Sequence, residues 1–348
     1  MINASGIGVY LRECLPILLN SAHSFLLLGN EDLLSSFQKN NTVIIDCKIK
    51  PFSIRELLWF PKKILKKINS ADSFYSPFFN VPHGIKVPVF TTIHDIIFPD
   101  MPELVSKTGL IARMFFFRRA YKKSTKIFTV SLFSKSRIEH HLGKAKPIIV
   151  TYSAIQSIFL AQRKRTQTIE KKQTIVFVGN IKKHKGLDCL LDAFVKAKKS
   201  GLQHKLVIIG SKNNFRSSDN AILGKIDALE DNSVLFTGYV SDAELAVHLS
   251  EAALLVQPSL YEGFCLPPLE AMILGTHALV SDIPVLKEVY ADFPVTFFRA
   301  GDSGDLSNRM NELLINRKQI KVNLPEQLAK KYTFEKTAGI VLENLVQA

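Results

Sequence analysis

The sequence predicts an α/β protein built as two doubly wound domains, and three observations carry that expectation. The second half alternates short apolar runs, several closed by glycine or proline, with stretches of helical spacing, which is the grammar of a parallel sheet covered on both faces. The chain has 348 residues, more than a typical single domain, and 47% of them are hydrophobic, enough for two cores. A polar, basic stretch at 162–173 lies between the halves and reads as a linker. The expected domains are therefore 1–161 and 174–330. A tail at 331–348 follows; its helix, 335–346, can pack on either domain and is expected back on the first.

Taken in order, the first half offers strands at 42–47, 87–93, 126–130 and 148–152. The second offers a strand at 174–180, a helix at 187–198, and strands at 205–210 and 233–238. A helix with Ser241 as its N-cap follows at 241–250, then strands at 253–258 and 278–281. Two such sheets leave a cleft between the domains, with ligands at the carboxyl ends of the strands. Residues that directly follow a strand are therefore the first candidates for a site.

Bulk composition narrows the class. Cys14, Cys47, Cys189 and Cys265 are far apart and form no C-x-x-C pair, so neither a disulfide framework nor a zinc site is expected, as in a reduced cytosolic protein. No apolar run reaches the roughly 18–20 residues that span a bilayer, and the first residues lack the pattern of a signal peptide. The net charge of +14 is uneven: residues 1–170 hold 24 Lys/Arg against 11 Asp/Glu, and 171–348 hold 21 against 20. The first half is thus the part that suits anionic partners: phosphate groups, acidic lipid head groups or nucleic acid.

The richest motif is the run from Tyr261 to Met272, YEGFCLPPLEAM. Glu262 lies on a Gly-aromatic loop and Glu270 on the helix-like stretch that follows, so both can face one pocket. Carboxylates accept hydrogen bonds in pairs and suit vicinal hydroxyls, as in sugars and riboses. The loop around them is apolar (Phe264, Cys265, Leu266), where a charge needs a partner. A surface pair of unrelated acids is the plainer alternative. After the strand at 174–180, Lys182, Lys183 and Lys185 lead into Gly186 and a helix. Lys185, just before the glycine, is the candidate to neutralise a diphosphate, and the other two read as solvated charges. His94 follows a strand and can donate to a sugar hydroxyl or phosphate oxygen, or simply hold its loop. Gly6-Ile7-Gly8 precedes a helical stretch at 9–19, where backbone N–H groups can approach a phosphate; an ordinary loop is the other reading.

Two basic, aromatic stretches stand out in the first half. One, at 54–68, carries Trp59, Phe60 and Lys62, Lys63, Lys66 and Lys67, and Pro61 divides it into two short pieces. The other, at 110–126, carries Phe115 to Phe117 with Arg118, Arg119, Lys122 and Lys123. Each can lie on an anionic membrane surface or present an apolar stripe to the core with a solvated basic back. Nucleic acid is not an expected partner, because neither RNP-type aromatics nor a recognition-helix pattern is present.

Together these motifs, in this order, resemble the GT-B glycosyltransferases of family 4 (group 1), the retaining enzymes of polysaccharide assembly. The resemblance covers nearly the whole chain and is strongest over 174–290. It implies two Rossmann-like domains with an interdomain cleft, an acceptor-binding first domain and a nucleotide-sugar-binding second one. It implies that Glu270 takes the ribose hydroxyls, and that Glu262 with the backbone of Gly263, Phe264, Cys265 and Leu266 holds the donor sugar and phosphate. Lys185, assisted by Asn180 where relatives often have arginine, would bind the diphosphate. Val240 would meet the base through its backbone, Gly6 and Gly8 the diphosphate, and His94 the sugar. His94, Lys185 and Glu262 are the residues it casts as catalytic.

The implied reaction moves a hexose, with GDP-mannose as the first donor by resemblance, to a lipid-linked oligosaccharide in O-antigen- or capsule-type synthesis at the inner face of the cytoplasmic membrane. Rhamnose, glucose, galactose and N-acetylglucosamine donors stay open. No cofactor and no essential metal are implied. A non-catalytic nucleotide-sugar-binding subunit and a sugar-nucleotide epimerase on the same fold are the alternatives. Relatives begin with a strand leading into the glycine loop, whereas this chain begins at the loop, so that strand is expected to be missing or replaced. Relatives also tend to have Asn-Gly near Ser153-Ala154, so the turn there is expected to differ.

Overall fold

The computed structural model describes residues 5–166, 169–210, 233–315 and 322–347. The chain divides into two compact units, one formed by Met1–Ala154 with Tyr332–Ala348 and the other by Ile155–Lys331.

In the first unit β1 (Phe25–Gly29) and β2 (Thr42–Asp46) make a parallel pair. Strands β3 (Phe74–Ser76), β4 (Val89–Thr92), β5 (Lys126–Thr129) and β6 (Ile148–Val150) form a parallel sheet in the order β3-β4-β5-β6. The helices Lys107–Lys123 and Leu132–Leu142 cover it, and Ile93, Phe117, Ile127 and Ile138 meet in its core. The expected strands are present but shorter, and β1 and β3 are additions. Three-residue β3 is too brief to show an alternation.

The first described helix, Ser5–Leu19, corrects the reading of the glycine turn: Gly6 and Gly8 lie inside the helix rather than before it. Tyr10, Cys14 and Leu18 recur every four residues and are all buried, and this period draws the preceding glycines into the same helix. A Cβ built on Gly6 would meet nothing within 4 Å, so no close approach in this structure demands glycine there. Among the described residues no strand precedes this helix. The tail helix Phe334–Val346 packs beside it, with Phe334 edge-on to Tyr10 at 6.1 Å. Thr337 Oγ1 donates to Thr151 O at 3.1 Å, which ties the tail to the end of β6.

The second unit holds β7 (Lys172–Val178), β8 (Lys205–Ile209), β9 (Val234–Gly238), β10 (Ala252–Gln257), β11 (Ala278–Ser281) and β12 (Thr296–Phe298) in one parallel sheet ordered β12-β11-β10-β7-β8-β9. β8, β10 and β11 are buried almost throughout, and β7 at its centre, which is why they read as continuous apolar runs; β9 and β12, at the sheet edges, are less buried. The helix Asp242–Glu251 starts at a full capping box, with Ser241 and Glu244 bonding each other's backbone.

The strand order advances one way from β7 through β8 to β9 and the other way from β7 through β10 to β12. In such sheets the connections leaving the two central strands diverge, and the crevice at their carboxyl ends is the natural binding place. Here the central pair is β7 and β10.

The expected linker at 162–173 differs from the structure. The helix Ser157–Thr166 belongs to the second unit, where it packs on Asp242–Glu251 and Pro267–Ile273, and β7 has already begun at Lys172. The cause is apolar anchoring just upstream: Ile155 and Phe159 are fully buried. Two of the stretch's basic residues are also engaged. Arg163 bonds Glu326 and Leu324 O, and the buried Lys171 ammonium donates to Ser250 O at 2.7 Å and Thr276 Oγ1 at 2.5 Å. Part of the polar composition thus reflects satisfied cations rather than a free connector. Among the described residues no helix is long and apolar enough to cross a membrane.

Candidate functional site

At the switch point of the second sheet, two loops are locked to each other through their backbones. The loop after β7 makes a short 3₁₀ turn, Lys183–Lys185, and reaches Gly186 at φ 69° before the helix Leu187–Lys199. Ile181, buried, pulls this loop inward. The loop after β10 passes so close that a Cβ on Gly186 would stand 1.9 Å from Pro258 O. Leu260 N donates to His184 O at 2.7 Å. Both the left-handed φ and the contact require glycine. Gly186→Ala is therefore expected to cost about 2 kcal/mol of stability through backbone displacement, read as a lower urea midpoint at unchanged slope; an unchanged midpoint would mean that the loops are not locked.

This lock sets Lys185 against Glu262. Lys185 Nζ donates to Glu262 Oε1 at 2.7 Å, and Ser259 Oγ donates to the same oxygen at 2.7 Å. Behind Ser259, Gln257 Nε2 donates to its Oγ at 2.8 Å, and Ser281 Oγ donates to Ser259 O. Gln257, Ser259 and Ser281 are fully buried, so Glu262 rests on a buried polar support at the end of β10. Burial pushes the Glu262 carboxyl up, but the charge of Lys185 and the hydrogen bonds from Lys185 and Ser259 outweigh it, and the net shift is downward. Burial and the adjacent Lys185 lower His184 to about 4, so its ring is neutral at pH 7.

Glu270 has the opposite electrostatics. It sits on the helix Pro267–Ile273, buried, and accepts from Gln156 Nε2 at 3.3 Å. Burial raises it to about 7; Gln156 pulls it back a little and Asp242 adds repulsion. Between the two acids lies Cys265, held at φ 77° and buried. Burial raises its thiol, and the charges of Glu262 and Glu270 raise it further. The loop Gly263 to Leu266 is clamped by Tyr290, whose hydroxyl donates to Cys265 O and accepts from Leu269 N at 3.2 Å.

The structure thus pairs Lys185 with Glu262 and sets Cys265 and Glu270 on the loop and helix that directly follow. Phe264 is buried in the same loop, and Gly263 and Leu266 are half-buried. Asn180 is exposed at the end of β7, and no hydrogen bond joins it to Lys185 or Glu262. Val240 is half-buried between the end of β9 and the Ser241 cap. Sequence reasoning missed Gln257, Ser259, Tyr290 and Gln156. Gln257 did leave a signal: it is the polar last residue of an otherwise apolar strand, and buried polar groups need partners. Tyr290 and Gln156 left none, lying 25 and 114 positions from the atoms they bond.

In the first unit His94 is half-buried, with Tyr10 edge-on to its ring at 5.1 Å. Burial lowers its pKa to about 4. Its Nε2 lies 3.0 Å from Pro77 O, and a carbonyl only accepts, so Nε2 carries the proton and Nδ1 is left as an acceptor. The ring therefore suits a hydroxyl donor, not the phosphate oxygen that the sequence also allowed. Gly8 is buried two positions before Tyr10, and Gly6 is exposed.

Residues 159–332 match the sequence profile of the family described as glycosyl transferases, group 1. The chain belongs to this family. Among its relatives is the O-antigen chain mannosyltransferase RfbU of Salmonella typhimurium, 30% identical over 203 residues that make up 57% of this chain and 53% of RfbU. O-antigen chain mannosyltransferase B of Escherichia coli is 27% identical over 63% of this chain and 59% of its own. The chain thus spans little more than half the length of these two relatives. In fold it resembles Anabaena HepE, solved in complex with UDP-glucose, with a TM-score of 0.71 over 98% of this chain and 96% of that one, at 16% identity. Sucrose-phosphate synthase from Thermosynechococcus elongatus gives 0.72 over 99% and 94%, at 15% identity. At these identities the likeness concerns the fold: the two Rossmann-like domains of the GT-B class.

Proposed function

We propose that this group 1 chain is a family 4, retaining glycosyltransferase that moves a hexose from a nucleotide-diphosphate sugar to a lipid-linked glycan in surface polysaccharide synthesis. GDP-mannose is the first donor to test, since RfbU and mannosyltransferase B are named as mannosyltransferases. The observation that carries the reading is the Lys185–Glu262 pair at the switch point of the second sheet, 2.7 Å apart and backed by Ser259. An ammonium there suits a diphosphate, and a carboxylate there suits sugar hydroxyls.

When donor enters, Lys185 exchanges Glu262 for the diphosphate, and Glu262, still held by Ser259, turns its freed lone pairs to the sugar. Glu270 accepts the ribose hydroxyls, Val240 meets the base, and Asn180 reaches the diphosphate beside Lys185. The anomeric carbon loses its bond to the diphosphate oxygen and gains one to the acceptor oxygen on the same face. The acceptor proton passes to the departing phosphate. Lys185 and the loop amides stabilise the charge that develops, and the reaction needs no essential metal. In the first unit a neutral His94 serves a ligand hydroxyl, and the backbone of Gly6 and Gly8 serves phosphate.

The test has two stages. A thermal-shift panel of GDP, UDP, dTDP and ADP identifies the base, because a ligand of the native state raises apparent stability. The matching sugar nucleotides are then incubated with lipid-linked acceptors. Glycan extension with the anomeric configuration kept is the expected result. Nucleotide binding without turnover, insensitive to Glu262→Ala, would indicate a binding subunit, and acceptor-independent change of the sugar an epimerase.

A further inference from the structure

The first unit contains a helix turned inside out. In Ile54–Leu58 the acidic residue faces the protein and two of the three aliphatic residues face water: Glu56 is 6% exposed, Ile54 66% and Leu58 58%, with Leu57 half-buried. Trp59, at the helix end, is 69% exposed. Ile54 and Leu58 are four residues apart and share a helix face. Hydrogen bonds enforce the inversion. Glu56 accepts from Phe52 N at 2.6 Å and from Asn80 Nδ2 at 2.6 Å, with the Arg119 guanidinium nearby, and Ser53 caps the helix through Glu56 N. Phe52 is held at φ 63° to make the first of these bonds. A buried carboxylate and exposed large apolar groups on one five-residue helix reverse the usual partition.

The patch continues onto a second helix. The Phe52 ring packs edge-on to Phe116 at 4.9 Å, and Phe116 meets Phe115 at 5.6 Å. Phe115 and Ile111, again four apart, are exposed on Lys107–Lys123. Beside the first helix, Lys62, Lys63, Lys66 and Lys67 are all exposed on Lys62–Ile68, and no carboxylate of the described residues pairs with any of them. An exposed tryptophan and aliphatic side chains next to four unpaired cations match a bilayer surface of anionic lipid, where the indole and aliphatic groups enter the head-group boundary and the ammonium groups meet phosphates.

We propose that the Ile54–Leu58 helix with Trp59 docks on an anionic membrane surface, supported by the lysines of Lys62–Ile68 and by Ile111 and Phe115. This surface belongs to the first unit and does not rest on the sugar-transfer reading. The alternatives for the stretches at 54–68 and 110–126 are therefore resolved in parts: Phe60, Ile68 and Phe117 are core, whereas Ile54, Leu58, Trp59, Ile111 and Phe115 are not.

Trp59 is the only tryptophan in the chain, so its own emission reports the contact. The full chain is titrated with phosphatidylglycerol–phosphatidylcholine vesicles and with phosphatidylcholine alone, without donor or acceptor. The expected result is a blue shift and co-sedimentation with the anionic vesicles only, weakened by salt. The pair Lys62→Gln and Lys63→Gln should lower the partition coefficient about tenfold or more, and Leu58→Ser should lower it with an unchanged Tm. Equal binding to neutral vesicles, sedimentation with no change in Trp59 emission, or no vesicle binding together with concentration-dependent self-association would each overturn the proposal; the last would assign the patch to a protein contact. None of these readouts depends on catalysis, so failure here and failure of the transfer reading are separable.

Discussion

Lys185→Ala is expected to lower turnover by about 10²-fold or more, the scale of losing one donor aimed at developing charge. The measurement is release of nucleoside diphosphate from the donor that the thermal-shift panel selects. Because the developing charge is larger than that of bound donor, kcat should fall more than KM rises. A change below about threefold would remove Lys185 from the site. The substitution also strands Glu262. With Lys185 present, its carboxyl lies below the usual value, so the pair contributes stability above the unfolded-state pKa that is lost as pH falls through the folded one. Without Lys185, burial is opposed only by the Ser259 hydrogen bond and the weaker influence of His184. The carboxyl then rises, and the variant should lose stability as pH increases through the acid range, the reverse of the parent. Adding Glu262→Gln should recover much of that stability and none of the turnover, which separates the structural loss from the chemical one.

The second unit was the more legible part, for a physical reason. Its inner strands are largely buried, so β7, β8, β10 and β11 appear as apolar runs whose ends fall within two residues of the expected ones. The helix at Asp242–Glu251 announces itself through its capping box. In the first unit β3 and β6 have three residues each, too few for a period to emerge. The glycine turn was misplaced because the burial period of Tyr10, Cys14 and Leu18 extends upstream through Gly6 and Gly8. The boundary between the units was misplaced because Arg163 and Lys171 looked like a solvated linker, although both have partners far along the chain. Within the site, the residues that carry charge stood out. Of the residues that aim them, Tyr290 bonds Cys265 O from 25 positions away and leaves no trace in local pattern, whereas Ser259 and Gln257 lie next to the groups they bond and are marked only as polar residues at the end of an apolar strand.

Glu270→Gln is expected to make the protein more stable and its nucleotide binding weaker, with both effects growing as pH rises. The folded-state pKa is about 7 because the carboxyl is buried with Gln156 as its hydrogen-bond donor and Asp242 repelling it. An acid raised on folding favours the folded state below the unfolded-state pKa, and that contribution is lost as pH climbs from there through about 7. The difference amounts to about 3 kcal/mol. Glutamine keeps the shape and removes the charge, so its Tm advantage should be small near pH 4 and largest above pH 7. The ligand reverses the balance. Ribose hydroxyls donating to the ionised carboxylate favour that form, so parent binding should tighten between about pH 6 and 8 with release of a proton. The glutamine variant should bind about 10-fold or more weakly, the worth of a charge-assisted hydrogen bond, and without that pH dependence. Differential scanning at several pH values, with and without the selected nucleoside diphosphate, reads both effects. A Tm difference that ignores pH would show that Glu270 does not titrate in this range. An undiminished nucleotide shift in the variant would show that it does not hold the ribose. A site residue that costs stability when empty and repays it on binding is what a carboxylate buried for a ligand looks like, whereas a purely structural glutamate of the same pKa would show the stability trend without the binding one.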